Sequence, residues 1–250
     1  MLTEERHSII LEEIKRNSVV NVSELVEKLN ASESTIRRDL NFLHKEKKLK
    51  KIHGGATSLD KVIHTKDHLV SERENLNIEE KIEIAKYAAS IIEEKDFVYI
   101  DAGTTTDLMI DYLTEKDAIY ITNGINQAKK LINKGFKAYI LGGEIKVLTE
   151  AIIGVEAINS LKKYNFTKGF FGTNGISKES GYTTPDIKEA LVKHEALNRT
   201  SLAYILSDKS KFNEVSCVTF GNLEDAVIIT NNIDDNIYGD LTEILEVSKI

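Results

Sequence analysis

From Ile78 onward the chain alternates helical apolar periodicity with short strand-like runs, and this alternation restricts its fold more than any other feature. The strand-like runs are Phe97–Ile100, Ala118–Ile121, Ala138–Leu141, Gly169–Phe171, Ala203–Leu206 and Val227–Ile229. Helical patterns fill roughly 78–94, 105–114, 125–134, 155–163 and 187–199. Strands separated by crossover helices run parallel, so the spacing predicts an α/β domain with a mostly parallel sheet covered by helices.

Each of five strands is followed by small and polar residues. These are Asp101 to Thr106 with Gly103, Thr104 and Thr105 between them; Thr122 and Asn123; Gly142 and Gly143; Gly172 to Gly175 with Asn174; and Ser207 to Lys211. Open α/β sheets place ligands at the carboxyl ends of their strands. Gly103 lets a backbone approach closely, and Thr104, Thr105 and Thr106 open a helix whose free N–H groups suit an anion. Lys209 or Lys211 is predicted to supply the cation, which makes a phosphate the expected guest. No P-loop and no Gly-x-Gly-x-x-Gly follows the first strand, so nucleotide and dinucleotide binding are not expected.

The first sixty residues differ in kind. Thr3, the pair Asn21 and Glu24, and Ser32 are predicted to cap three short helices, with only Asn30 and Ala31 as the turn between the second and third. That is helix-turn-helix spacing. On the third helix Ile36, Leu40 and Leu43 make one apolar stripe, and Ser34, Thr35, Arg37, Arg38 and Asn41 project elsewhere. Such a face suits base edges and phosphates in a DNA major groove. A strand at Leu49–Ile52, the turn His53-Gly54-Gly55 and a second strand from Ala56 then form a basic wing with Lys50, suited to flanking phosphates or the minor groove; His53 falls at its tip by the resemblance described below.

Charge follows the same division. The protein carries a net −7, yet residues 1–58 hold 11 Lys and Arg against 9 Asp and Glu, while the remainder holds 22 against 31. A basic segment on an acidic chain is a local footprint for nucleic acid. The single Cys217, predicted to be buried, fits a reduced cytoplasmic setting. No run is apolar enough for a bilayer, so no membrane partner is expected. His64 and His68 lack a third ligand, so no metal and no cofactor is expected. The expected organisation is a winged helix-turn-helix over 1–58, a linker over 59–75 and a sensing domain over 76–250.

The run from Val22 to Ala56, above all Thr35 to Leu40 and His53 to Ala56, resembles the DNA-binding module of the DeoR family of bacterial regulators. The strand-end turns and the Gly181 to Asp186 stretch resemble that family's effector domain, most closely the fructose-operon repressors. The resemblance implies a repressor of a sugar-utilisation operon and a homo-oligomer bound to double-stranded operator DNA. It also implies a phosphorylated sugar, with fructose 1-phosphate foremost. The strand-end reading places its phosphate at Thr104 to Thr106 and Lys209 and its hydroxyls at Asp101, Asn123, Asn174 and Asp186, with Gly103, Thr122, Gly142 and Gly143 also at the site. The effector domain is further similar to ribose-5-phosphate isomerases and glucosamine-6-phosphate deaminases, which raises the alternative of an enzyme. An isomerase needs a carboxylate base. Thr183, Thr184, Pro185 and Asp186 stand in its stretch, with Lys193 and His194 at the acid position and Glu189 and Glu195 nearby, so catalysis is not expected.

Overall fold

The computed structural model describes residues 2–17, 19–52, 54–58, 63–65, 69–233 and 238–249. The chain divides into two compact units, Met1–Val62 and Ile63–Ile250.

The first unit contains α1 (Thr3–Asn17), β1 (Val19–Asn21), α2 (Val22–Leu29), α3 (Glu33–Lys45), β2 (Lys50–Ile52) and β3 (Gly55–Thr57). The caps act locally. The Ser32 hydroxyl accepts from the Thr35 N–H at 3.2 Å, and the Glu24 carboxylate reaches back to the Asn21 N–H at 3.5 Å. Thr3 differs from its expected role: it lies inside α1 rather than capping it. Val20 and Leu25 are both buried around α2, as a hydrophobic staple requires, and share one core with Ile36, Leu40 and Leu43.

β1 has no counterpart in the sequence expectation. It pairs antiparallel with β3, which also pairs with β2. Gly54 supplies a positive φ in the wing turn, at 78°, and Gly55 does not. Gly55 has another reason to be glycine, because a Cβ there would sit 2.0 Å from the Val20 carbonyl oxygen. His53 lies outside the described residues.

The second unit begins with β4 (Ile63–His64), α4 (Val70–Glu74) and α5 (Ile78–Ser90), so part of the predicted linker lies in a strand and a helix. There follow β5 (Phe97–Ile100), α6 (Thr104–Tyr112), β6 (Ile119–Thr122), α7 (Ile125–Asn133), β7 (Lys137–Ile140), β8 (Glu144–Lys146), β9 (Ala151–Ile153) and α8 (Val155–Leu161). The remainder is β10 (Phe166–Gly172), β11 (Gly175–Ser177), β12 (Gly181–Thr184), α9 (Ile187–Asn198), β13 (Thr200–Leu206), β14 (Val215–Ser216), β15 (Val218–Gly221), β16 (Val227–Thr230) and β17 (Ile244–Glu246).

Seven strands form one sheet in the order β17-β16-β13-β10-β5-β6-β7, and every neighbouring pair is parallel. All six predicted strands lie in it, with β17 added at one edge. Apolar residues on its two faces build two cores, one around Tyr99, Phe166 and Phe171 and one around Ile100, Tyr120 and Phe170. From β5 the chain moves outward through β6 to β7, whereas β10, β13, β16 and β17 are added on the other side. The direction therefore reverses between β5 and β10, and their carboxyl ends stand side by side.

His64 pairs in register with Ser216 of β14, and His68 lies outside the described residues. Cys217 is exposed, not buried as predicted. It falls at the break between β14 and β15, where the strand alternation that suggested burial is interrupted.

Candidate functional site

On α3 the apolar stripe packs inward and leaves Ser34, Arg37, Arg38 and Asn41 exposed, with Thr35 half-buried. Most of these groups already have local partners. Ser34 and Thr35 share the Ser32 hydroxyl at 3.0 and 2.8 Å, Arg37 pairs with Glu33 at 2.6 Å, and the Lys51 ammonium of the wing donates to Asn41 at 2.8 Å. Arg38 makes no hydrogen bond or ion pair with any described residue. Lys50 is exposed on β2.

One buried residue of α3 was missed in the sequence. Asp39 sits inside the unit and accepts from the Arg6 guanidinium at 2.5 and 3.1 Å and from His7 at 3.1 Å. His7 in turn stacks on Phe42 with ring centroids 5.1 Å apart. Burial would push the Asp39 carboxyl up, but the hydrogen bonds from Arg6 and His7 outweigh it and hold the group below its ordinary value. The pair fixes α1 against α3. Its sequence signal was the acid at i+3 from Ile36, within the apolar stripe.

In the second unit a cavity of about 290 Å³ opens where the sheet reverses direction. That is where open α/β sheets bind ligands. Gly103, Thr104 and Thr105 from the end of β5 form one wall, and Gly172, Thr173 and Asn174 from the end of β10 form the other. The two turns nearly touch, since a Cβ on Gly103 would lie 3.8 Å from the Gly172 Cα. Beneath them Asp101 is buried, accepts from the Gly172 N–H at 3.0 Å and pairs with Lys193 of α9. Lys193 also donates to the Gly172 carbonyl at 3.0 Å. Asp101 thus ties the two strand ends together.

Several other expected residues shape the site from behind. Thr106 is buried and donates to the Asp101 and Gly103 carbonyls at 2.6 and 2.9 Å. Asn123 accepts from the Ala102 N–H at 2.9 Å, and the Thr122 hydroxyl accepts from the Gly124 N–H at 3.0 Å. Gly142 and Gly143 do not line the cavity; a Cβ on Gly143 would lie 2.7 Å from the Ile153 carbonyl oxygen, so its place is in the β8–β9 hairpin. Asp186 caps α9 at the Glu189 N–H, 2.9 Å away, and lies in a shallow outer groove. Lys209 does not line the cavity and pairs with Glu80 at 3.5 Å.

The cations on the cavity wall are Arg73, Lys81, Lys193 and Lys211. Lys81 of α5 is buried and donates to the Thr104 hydroxyl at 3.1 Å and to the Arg73 carbonyl at 2.5 Å. Burial depresses its ammonium to about 8 despite the pull of Asp208, and the like charges of Lys211 and Arg73 add to the depression. Asp208 is itself engaged by Asn77 at 3.0 Å and by the Ser210 N–H at 2.9 Å. The far end carries Glu189, which accepts from Thr149 at 2.5 Å and lies 3.3 Å from the Lys146 ammonium. Arg73, Asn77, Lys81 and Thr149 carry no signal in the sequence, since none of them lies in a strand-end turn of the main sheet. Among the described residues no cluster of His, Cys, Asp and Glu could hold a metal, and no helix is long and apolar enough to cross a membrane.

Two family models match this pair of units: a DeoR-like helix-turn-helix domain over residues 6–62 and a DeoR C terminal sensor domain over residues 76–232. The chain belongs to the DeoR family of transcriptional regulators. It is 44% identical to an uncharacterized HTH-type transcriptional regulator, FruR, of Bacillus subtilis (strain 168), over 97% of this chain and 96% of that one. It is 33% identical to the lactose phosphotransferase system repressor of Streptococcus mutans serotype c, over 99% of both chains. Among solved structures, a D-ribose-5-phosphate isomerase in complex with phospho-erythronic acid aligns with 54% of each chain at 15% identity and a TM-score of 0.42. In DeoR terms the first unit is the helix-turn-helix domain and the cavity lies in the sensor domain.

Proposed function

We propose that this DeoR protein represses a sugar-utilisation operon by binding double-stranded operator DNA as a homo-oligomer, and that a phosphorylated sugar releases it. One observation carries the effector half: a cationic cavity sits at the sheet's reversal point and opens onto the N-terminus of α6. The names of the relatives, a FruR regulator and lactose phosphotransferase repressors, support a sugar-linked operon. Fructose 1-phosphate is the first effector to try.

The phosphate docks on the N–H groups and hydroxyls of Thr104 and Thr105, with Lys81, Lys211 and Arg73 as counter-charges in place of Lys209. Asn174, Thr149 and Glu189 then meet the sugar hydroxyls, and Asp101, Thr106, Thr122 and Asn123 keep the turns in position. In the DNA-binding half Ser34, Thr35, Arg37, Arg38 and Asn41 face the major groove, with Lys50 and His53 on the wing. A cytoplasmic location accords with this role. Ligand shifts operator affinity only through unequal binding to the DNA-competent and released states.

A panel of sugar phosphates tested by thermal shift decides the effector. At 100 times its dissociation constant a ligand adds about 2.7 kcal/mol of stability, and the same compound should release operator DNA in a mobility-shift assay. If no sugar phosphate stabilises the protein, the effector half is wrong. Turnover of any of them would favour an enzyme.

Lys81 gives this site a pH signature. The phosphate needs Lys81 protonated, so affinity should fall about tenfold per pH unit above about 8. It should also weaken below about 6, where the phosphate loses its second charge. Lys81→Met should weaken binding by about 10- to 150-fold, the range for hydrogen bonds to charged groups, and remove the alkaline limb. An unchanged alkaline limb in that variant would exclude Lys81 as its origin. Without ligand, the folded form releases this proton near 8 and the unfolded chain near 10.5, so stability rises with pH across that interval.

A further inference from the structure

The chain enters the sensor domain through β4, and little holds β4 in place. Its ladder with β14 is two residues long, Ile63 opposite Val215 and His64 opposite Ser216. His64 donates through Nε2 to the Glu214 carboxylate at 2.6 Å, a pair whose side chains are 45% and 20% exposed. Ile63 is more than half exposed, so it buries little apolar surface. An ion pair this open contributes a factor of about five at most.

β14, in turn, is positioned from two walls of the effector cavity. Lys211 stands four residues before Val215, and its ammonium makes no hydrogen bond or ion pair with any described residue. On the other wall the Asn174 N–H and the Thr173 hydroxyl donate to the Thr183 carbonyl at 3.0 and 3.1 Å. The Thr183 hydroxyl then accepts from the Ser216 N–H at 2.9 Å. A ligand that moves either wall therefore acts on the strand that holds β4.

We propose that β4 and β14 form a clasp that the effector opens, and that its opening is what weakens operator binding. The inference rests on the function proposed above and adds the element that regulates it. A phosphate at Thr104 draws the Lys211 ammonium inward. The stretch from Lys211 to Ser216 follows, and the short ladder and the His64–Glu214 pair are lost. With β4 docked, the connector is anchored from Ile63; with β4 released, the first anchored element is α4 at Val70. Residues 63–69 then join the tether and add up to about 24 Å of reach. In an oligomer that reads paired half-sites, a longer tether dilutes the second reader around the first, so operator affinity falls. Allosteric couplings run at about 5- to 150-fold, and a clasp this weak yields to an effector with that preference.

Glu214→Lys tests the clasp in the full chain, with His64→Glu added as its rescue; neither residue lines the cavity. Without effector, Glu214→Lys should weaken operator binding about fivefold, and the double variant should restore it. Linkage then requires Glu214→Lys to bind fructose 1-phosphate, or whichever sugar phosphate the thermal-shift panel selects, more tightly than wild type. Damage to the fold would instead weaken both. Should the variant fail to fold, His64→Ala removes the same pair. Hydrogen exchange reads the clasp without DNA: the amides of residues 63–65 should exchange faster once the sugar phosphate is bound. Wild-type affinities for both ligands in Glu214→Lys, or exchange at 63–65 that ignores the sugar phosphate, would overturn the clasp. If no sugar phosphate binds wild type, the function proposed above fails, and the operator affinity of Glu214→Lys still decides whether β4 controls DNA binding.

Discussion

Arg38→Ala should lower operator affinity by about 5- to 150-fold and leave the protein's stability and its sugar-phosphate response unchanged. The magnitude is that of one good bidentate contact to a base, about 1–3 kcal/mol. Arg38 is exposed on α3 and engages no described residue, so its removal costs the fold nothing. Arg37 is a weaker target, because Glu33 already occupies its guanidinium. Binding measured against salt separates two roles for Arg38. A base contact should relax sequence preference, whereas a phosphate contact should weaken all sequences alike and flatten the salt dependence. Unaltered affinity for every duplex would remove Arg38 from the interface.

Asp39→Ala, one residue further on, should act by the opposite route. It removes the acceptor of a buried pair and strands the Arg6 guanidinium inside the first unit, a change that costs about 3–5 kcal/mol. In a unit of this size each kcal/mol is worth about 4–8 °C, so its melting transition should fall by more than about 10 °C. DNA binding would be lost through unfolding, while the sensor domain should still be stabilised by sugar phosphate. The pH dependence has a definite sign. The Asp39 carboxyl is held low in the folded state, so its contribution is complete above the unfolded value near about 3.9 and disappears as pH falls through the folded value. A melting temperature equal to wild type would show that the Arg6–Asp39 pair contributes nothing to the unit. Neighbours in sequence, Arg38 and Asp39 face different sides of α3, one exposed and the other buried.

Not every expectation held. The connector predicted over 59–75 contains β4 and α4, because short elements stabilised by distant partners carry no periodicity of their own. β4 exists through pairing with β14, about 150 residues away in sequence. β1 is of the same kind: three residues that read as cap and staple become a strand because β3 lies beside them. Lys209 and Lys211 looked equivalent in sequence, yet the turn that follows β13 directs only Lys211 to the cavity wall.

Local sequence set the caps of α2 and α3, the exposed polar face of α3, a glycine turn before β3 and the alternation that makes a parallel sheet. These follow from backbone propensities and side-chain periods that act within a few residues. Tertiary structure alone decided which strand ends meet. β5 and β10 lie some seventy residues apart, and their adjacency places Gly103 beside Gly172 and buries Asp101 against Lys193. It also decided that Arg73, Lys81 and Lys211 share one wall. Strand order is set by how whole helical layers pack on the sheet, and no window of sequence contains that information.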